Sequence, residues 1–362
     1  MHVCLSCIEF FGFGIHGGFG RATRFIGREL ARLGVRVSVL VPRRGMFPEG
    51  TIDGMEVRGY NVFDPASALK TFWDCGADVF HSQDPSMGTA LARHAAPEAR
   101  HVVTFRDTLD SVDWRVETAL SGKSRFGFFA YRLFLDNPWV TRTVRRADAR
   151  ACAARFLIPK AVLKYGLKTA PEFLPTPVDL PKDICKSSRP TVAFVGRWDV
   201  RKRPERFFEL ARAFPSVDFI AVGGSADPVR DAQLRATASA LPNVSLPGII
   251  DQFKDDALSR ILSRSWILVN TSPREGLPTT FLEAAAHGCA LLSHTDHDSF
   301  ASTFGRCVAE EELAAGLATL LESDWRAKGL AARNFVREVF ATDVAMQAHL
   351  NLYQRVLAKE AT

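Results

Sequence analysis

Two carboxylates, Glu275 and Glu283, stand eight positions apart in PREGLPTTFLEAAA, residues 273–286, with a glycine, a proline and two threonines between them. The apolar run 266–270 ends just upstream and Ala284 to Ala286 propagate a helix downstream, so the sequence predicts a strand-to-helix turn. Such a turn presents N–H groups and the positive end of a helix dipole, which favour an anion, typically a phosphate. With the helix starting near Pro278 or Thr279, Glu283 lies about one turn inside it while Glu275 stays on the loop. The two carboxylates can then accept hydrogen bonds from hydroxyls on opposite sides of one bound phosphate. A nucleotide-sugar carries hydroxyls on both sides of its phosphates. The same spacing also fits a solvated helix glutamate and a loop charge.

A second cluster, GRWDVRKRP from Gly196 to Pro204, follows a strand pattern at 191–195. Arg197 leaves the strand end and Lys202 begins the next helix pattern. Two fixed cations over one strand terminus suit a diphosphate, the arginine by bidentate geometry and the lysine as a point charge. Arg201 and Arg203 belong to the same run, so a solvated basic turn ahead of a helix is the plainer alternative.

A third signal lies near the start. In FGFGIHGGFGR, residues 11–21, Gly12, Gly14 and Gly17 satisfy G-x-G-x-x-G between a strand and an amphipathic helix bearing Ala22, Phe25, Ile26, Leu30 and Leu33. That is the dinucleotide fingerprint, and it wants an acid about 20 residues on to hold a ribose. Here the next strand ends in Pro42, Arg43 and Arg44, which would suit only NADP. The glycines continue through Gly18 and Gly20, so the loop also fits a backbone wall approached closely by phosphates or by an acceptor.

These signals need elements to hold them. Strand patterns at 2–9, 37–41, 77–82 and 101–105 alternate with helical ones, and a hairpin-like piece surrounds Asp53-Gly54. Such alternation implies a parallel sheet, whose ligands gather at the carboxyl ends of the strands. There lie the glycine loop, His81 to Asp84 and Arg106 to Asp110. After the polar stretch Pro181 to Pro190 a second alternation begins, with strands at 191–195, 219–222, 244–246, 266–270 and 290–293, and long helical patterns close the chain. The expected architecture is two α/β domains facing across a cleft.

Bulk properties narrow the class. A chain of 362 residues is long enough for two domains, and 47% hydrophobic with 24% charged residues is ordinary globular composition. The start, MHVCLSCI, lacks a charged n-region ahead of an apolar h-region, and no uncharged apolar run approaches the ~18–20 residues of a membrane helix. Seven scattered cysteines point to reduced thiols and a cytoplasmic setting. The net charge of +6 comes entirely from residues 1–185, with 25 Lys+Arg against 19 Asp+Glu. Residues 121–146 interleave six aromatics with Lys123, Arg125, Arg132, Arg142, Arg145 and Arg146. That pattern fits an ordinary helix with aromatics inward and bases in solvent, and it also fits peripheral contact with an anionic membrane. Cys4-x-x-Cys7 and the run His294, Asp296, His297, Asp298 look metal-like, yet each is one short segment without a second ligand pair.

Together, Gly17-Gly18, the strand-end His81, LPTPVDL at 174–180, Gly196-Arg197 with Lys202, and Glu275 to Glu283 as an E-x7-E motif resemble the retaining glycosyltransferases of family four, group 1. The match runs nearly end to end, and the E-x7-E motif with its helix is its most specific part. The resemblance implies a GT-B fold: an N-terminal Rossmann-like acceptor domain (1–180), a linker (181–190), a C-terminal donor domain (191–340) and a helix crossing back to the first domain (341–362). It implies transfer of a hexosyl unit from a UDP- or GDP-sugar to a hydroxyl acceptor with retention, no metal or other cofactor, no nucleic acid, and work on a glycan, glycolipid or envelope polysaccharide at the inner face of the membrane. Arg197 and Lys202 would hold the donor diphosphate, with Gly17, Gly18 and Gly196 near it. Glu283 would hold the ribose, and Glu275 the sugar with the backbone of Gly276, Leu277, Pro278, Thr279 and Thr280.

Three positions depart from the family pattern. Thr104-Phe105-Arg106 stands where many relatives have T-x-H, Pro278 and Thr279 alter the sugar subsite, and Thr176 replaces an asparagine. Asp107 or His81 could stand in for the missing histidine, with Asp84 and Arg106 also on the acceptor side. Two alternatives remain at this level: a binding protein that keeps the donor site without turnover, motivated by Arg106, and an NADP-dependent oxidoreductase built on the glycine fingerprint.

Overall fold

Strands without a polar face run through both halves of the chain, as they must when helices cover both sides of a parallel sheet. The computed structural model describes residues 1–13, 17–43, 45, 49–120 and 125–358, and divides into two units, Met1–Pro177 with Asp343–Thr362, and Val178–Thr342. Gly14, Arg44, residues 121–124 and the Arg125 side chain lie outside the described residues.

The first unit alternates β1 (His2–Ser6), α1 (Gly18–Arg32), β2 (Arg36–Pro42), β3 (Gly50–Ile52), β4 (Met55–Tyr60), α2 (Pro65–Trp73), β5 (Val79–Ser82), α3 (Met87–Ala95) and β6 (Arg100–Phe105). Then come α4 (Ser111–Leu120), α5 (Arg125–Leu135), α6 (Pro138–Arg145), β7 (Ala149–Cys152), α7 (Leu157–Tyr165) and β8 (Glu172–Phe173). The sheet order is β3-β4-β2-β1-β5-β6-β7-β8. Its pairings are parallel except β3 with β4. That hairpin turns at Asp53 (φ 50°) and Gly54 (φ 81°), both left-handed, as a two-residue turn between right-twisted strands requires.

The second unit holds β9 (Thr191–Val195), α8 (Pro204–Ala213), β10 (Asp218–Val222), α9 (Pro228–Ser239), β11 (Val244–Gly248), α10 (Ala257–Arg264), β12 (Ile267–Asn270), α11 (Thr279–Ala286), β13 (Ala290–Ser293), α12 (Phe300–Phe304), β14 (Gly305–Cys307), α13 (Leu313–Glu322) and α14 (Trp325–Val339). Its order, β11-β10-β9-β12-β13-β14, is wholly parallel. Counted from β9 this is 3-2-1-4-5-6, the doubly wound order whose switch point lies between the first and fourth strands. Here those strands are β9 and β12, and the loops that leave them carry Arg197 with Lys202 and Glu275 with Gly276. Residues 181–190 form no helix or strand and belong to this unit.

The closing helix, α15 (Thr342–Ala358), buries Met346, Leu352, Tyr353 and Val356 in the core of the first unit beside Val3, Leu5 and Ile26. No helix among the described residues is long and apolar enough to cross a membrane.

Candidate active site

The β9–α8 loop is folded by Asp199. Its Oδ1 accepts from the amides of Arg201 and Lys202, each at 3.1 Å, and its carbonyl from the amide of Arg203 at 3.0 Å. Arg203 takes a left-handed conformation (φ 47°, ψ 58°) ahead of Pro204, so α8 starts at Pro204 rather than at Lys202 as the sequence pattern implies. Thr271 Oγ1, at the end of β12, donates to the carbonyls of Lys202 and Arg203 at 2.5 and 3.0 Å. One hydroxyl thus fastens the basic loop to the loop that carries the glutamates. Gly223 (φ 143°) makes the close approach behind it possible, because a Cβ there would lie 1.9 Å from the Gly196 carbonyl oxygen.

The basic run divides by partner. Arg203 and Arg206 pair with Glu310 at 2.6 and 2.8 Å. Arg197 pairs loosely with Asp199 at 3.3 Å and its side chain is 42% exposed. Lys202 forms an ion pair with Glu275, the two side chains 24% and 14% exposed. The two predicted roles, diphosphate clamp and sugar acceptor, therefore meet in one contact.

Helix α11 begins at Thr279 with Pro278 as its N-cap, and no side chain caps it. By contrast α9 is capped by Asp227, which accepts from the amides of Val229 and Arg230. A helix start without a side-chain cap is a ready anion site. Glu283 is half-buried one turn inside α11, and Glu275 is half-buried on the preceding loop, as the spacing implies. Gly276 and Pro278 are buried while Leu277, Thr279 and Thr280 are half-buried.

In the first unit two of the acceptor-side candidates, His81 and Arg106, are buried and hydrogen-bonded. His81 is fully buried, with Nδ1 at 2.7 Å from the Tyr353 hydroxyl and Nε2 at 2.7 Å from Thr104 Oγ1. Burial, with the nearby His349 and Arg106, lowers its pKa well below the ordinary value, so it stays neutral and ties α15 to β5 and β6. Arg106 is likewise buried. Its guanidinium donates to Thr176 Oγ1 at 3.0 Å and Gln83 Oε1 at 2.7 Å, and burial lowers its pKa to about 10, leaving it a charged structural link. The threonine that replaces an asparagine at position 176 is thus the arginine's partner. Asp84 accepts from the Arg106 amide at 3.0 Å, and burial pushes its carboxyl up to about 7. Asp107 is half-buried beside it.

The glycine loop holds an unexpected neighbour. The Glu9 carboxylate accepts from the Gly20 amide at 3.0 Å, and a Cβ on Gly17 would lie 2.2 Å from its Oε1. The close approach that glycine permits at Gly17 is made by a carboxylate of the same chain, at the positive end of α1 beside Gly18. A dinucleotide pyrophosphate needs that helix start, so the NADP reading fails here. Among the described residues no group of three or more His, Cys, Asp or Glu side chains is placed to hold a metal ion.

Residues 125–145 form two helices. Phe128, Tyr131, Phe134 and Leu135 pack with Trp114, yet Phe126, Phe129 and Leu133 are 80%, 57% and 46% exposed. The inward placement expected of all the aromatics therefore holds for only part of them.

Two family models match the chain: Glycosyltransferase Family 4 over residues 16–180 and Glycosyl transferases group 1 over residues 189–323. The chain belongs to this glycosyltransferase family. Similar solved structures include sucrose-phosphate synthase from Thermosynechococcus elongatus, 17% identical with a TM-score of 0.75, covering 98% of this chain and 99% of that one. A glycosyltransferase from Rickettsia africae is 14% identical with a TM-score of 0.70, covering 99% of both. HepE from Anabaena, solved with UDP and glucose, is 13% identical with a TM-score of 0.69, covering 98% of this chain and 99% of that one. At these identities the likeness establishes the fold, which is GT-B. No curated protein matches the sequence.

Several residues of this glycosyltransferase escaped the sequence reading. Asp199 could have been found, because an Asp just past a strand end commonly accepts from the backbone amide two residues on in an Asx turn. Glu9, Thr271 and Glu310 could not, since each acts on a segment distant in sequence.

Proposed function

We propose that this glycosyltransferase moves a hexosyl unit from a UDP- or GDP-sugar to a hydroxyl acceptor with retention of configuration. The observation that carries the proposal is the pair of loops at the β9–β12 switch point, one bringing Arg197 and Lys202, the other Glu275, the uncapped start of α11 and Glu283. In this reading Arg197, Lys202 and the α11 start hold the diphosphate, with Gly196 beneath it. Glu283 accepts from the ribose hydroxyls. Glu275 accepts from the sugar with the backbone of Gly276 to Thr280 around it. As the bond to the anomeric carbon breaks, charge grows on the leaving diphosphate, and these donors stabilise it. The acceptor hydroxyl attacks from the same face, so no protein nucleophile enters. The residues that remain for the acceptor side are Asp84 and Asp107. UDP complexes of the HepE structure support the donor class by analogy.

The experiment is release of nucleoside diphosphate from UDP- and GDP-hexoses. Wild-type protein should release it and Glu283→Ala should need at least about tenfold more donor, as expected for losing a carboxylate that binds two hydroxyls. Equal rates at low donor would contradict the ribose role. A binding protein without turnover would show no release, but its motivating residue, Arg106, is buried and engaged.

We also propose that this protein rests on an anionic membrane through α5. Phe126, Phe129 and Leu133 recur at helical spacing on its exposed side, and Arg142 and Arg145 of α6 and Arg146 just after it are exposed. Co-sedimentation with phosphatidylglycerol vesicles should weaken with salt and fall about tenfold or more in Phe126→Asp. Absence of binding at low salt would end this proposal.

A further inference from the structure

At the amino ends of β12 and β13, the end of the sheet opposite the donor loops, Lys186 and Cys289 meet. Lys186 Nζ lies 3.4 Å from Cys289 Sγ. Both groups converge on the same two carbonyls at the end of α10: Nζ donates to Leu262 at 3.3 Å and to Ser265, and the thiol lies 3.2 Å from each. The contact is held from both sides. Ser187 fixes the backbone beside the lysine, its amide donating to the Arg264 carbonyl at 3.1 Å and its carbonyl accepting from Trp266 Nε1 at 2.9 Å. Cys289 is fully buried just ahead of β13.

A lysine near the end of a helix ordinarily caps its last carbonyls as an ammonium. Lys186 is half-buried, no carboxylate pairs with it among the described residues, and Arg333 lies close by. Burial lowers its pKa below the ordinary lysine value, which favours the neutral amine. A buried thiol by itself is inert, because the thiolate is the reactive form. Here an amine stands within reach of the thiol proton, so a thiolate and a nitrogen nucleophile can form side by side.

We propose that Lys186 and Cys289 are an oxidation site, joined by dioxygen into a reversible N–O–S crosslink. One N–H bond and the S–H bond break, N–O and O–S bonds form around one oxygen atom, and the other oxygen leaves as water. Nitrogen and sulfur each give two electrons, and dioxygen takes four. Dioxygen is small and apolar, so burial that excludes larger oxidants does not exclude it. The crosslink would fasten residues 181–190, which have no helix or strand of their own, to the start of β13. Two dithiol molecules return the four electrons and regenerate amine, thiol and water.

The test is tryptic mapping by mass spectrometry of the full chain kept under oxygen, before and after dithiothreitol. The peptide carrying Lys186 should be joined to the peptide carrying Cys289, with one oxygen gained and two hydrogens lost, and dithiothreitol should separate them. The joined species should vanish in Lys186→Arg and in Cys289→Ser. It should persist in Cys185→Ser, because the exposed Cys185 beside Lys186 could otherwise link the same two peptides as a disulfide. A link that lacks the oxygen, or that is lost in Cys185→Ser, would overturn the proposal in favour of that disulfide. Peptides that stay separate under oxygen would overturn it too, leaving Lys186 as a plain cap on α10. Nucleoside diphosphate release should be the same in Lys186→Arg as in wild type, so this result and the donor reading stand or fall separately.

Discussion

Replacing Lys202 with alanine is expected to lower the transfer rate by about 10²–10³-fold, the usual cost of removing one group that stabilises charge on a leaving oxygen. The expectation exceeds that for a lone surface lysine because of Glu275. With Lys202 gone, a carboxylate whose side chain is 14% exposed loses its ion-pair partner and faces the diphosphate site uncompensated. Arg197→Ala should cost less, about tenfold, since that side chain is 42% exposed and shares its charge with Asp199. Removing the repelling carboxylate as well, in Lys202→Ala with Glu275→Gln, should recover part of the donor affinity without recovering the rate. Steady-state kinetics on the four proteins checks the ranking, and an Arg197 effect larger than that of Lys202 would contradict the division of charge described here.

The second large effect is on stability. Acid is expected to destabilise the first unit. Burial lowers the pKa of His101 to about 4 and of His349 to about 3, against about 6.5 in an unfolded chain. The folded state therefore binds fewer protons than the unfolded state between those values. The stabilisation is fully present above about pH 6.5 and is lost as pH falls toward 4. At pH 5 each of the two histidines costs about 2 kcal/mol, and His81, lowered in the same direction by burial, adds to it. Asp84 acts oppositely. Its folded pKa of about 7 lies above the unfolded value, so it regains about 2.5 kcal/mol over the same descent. The net is a loss, and scanning calorimetry from pH 8 to pH 5 should show the melting temperature falling below pH 6.5. In Asp84→Asn the fall should be steeper, because the opposing group is gone. A flat profile to pH 5 would show that these histidines are not buried as described.

The fold was legible wherever local pattern and topology agree. Buried runs such as Thr191 to Val195 alternate with amphipathic helices, and that alternation alone implies parallel sheets. The donor loops were legible for the same reason: the E-x7-E spacing and GRWDVRKRP each lie within one strand-to-helix turn, so their geometry is local. The acceptor side was not. His81 and Arg106 have the residue types of catalytic groups at strand ends, and nothing nearby in sequence reveals that Tyr353 and Thr176 lie against them. Their burial is set by α15 and by residues 174–178, which return to the sheet from far along the chain. The glycine fingerprint failed differently. Its spacing is that of a phosphate loop, but Glu9, placed by the strand just before it, takes the helix start. Short elements such as β8 and β14 carry too few residues for any periodicity to show.

The most direct test of the account is the melting temperature of the full chain with UDP, GDP and ADP, compared between wild type and Lys202→Ala. A ligand that binds only the folded protein stabilises it in proportion to the logarithm of its concentration over Kd, by about 2.7 kcal/mol at a hundredfold excess. The account predicts that UDP or GDP raises the wild-type melting temperature in a concentration-dependent way and that Lys202→Ala loses most of the rise. No rise with any of the three diphosphates, or an equal rise in both proteins, would contradict the assignment of the β9 and β12 loops as the donor site.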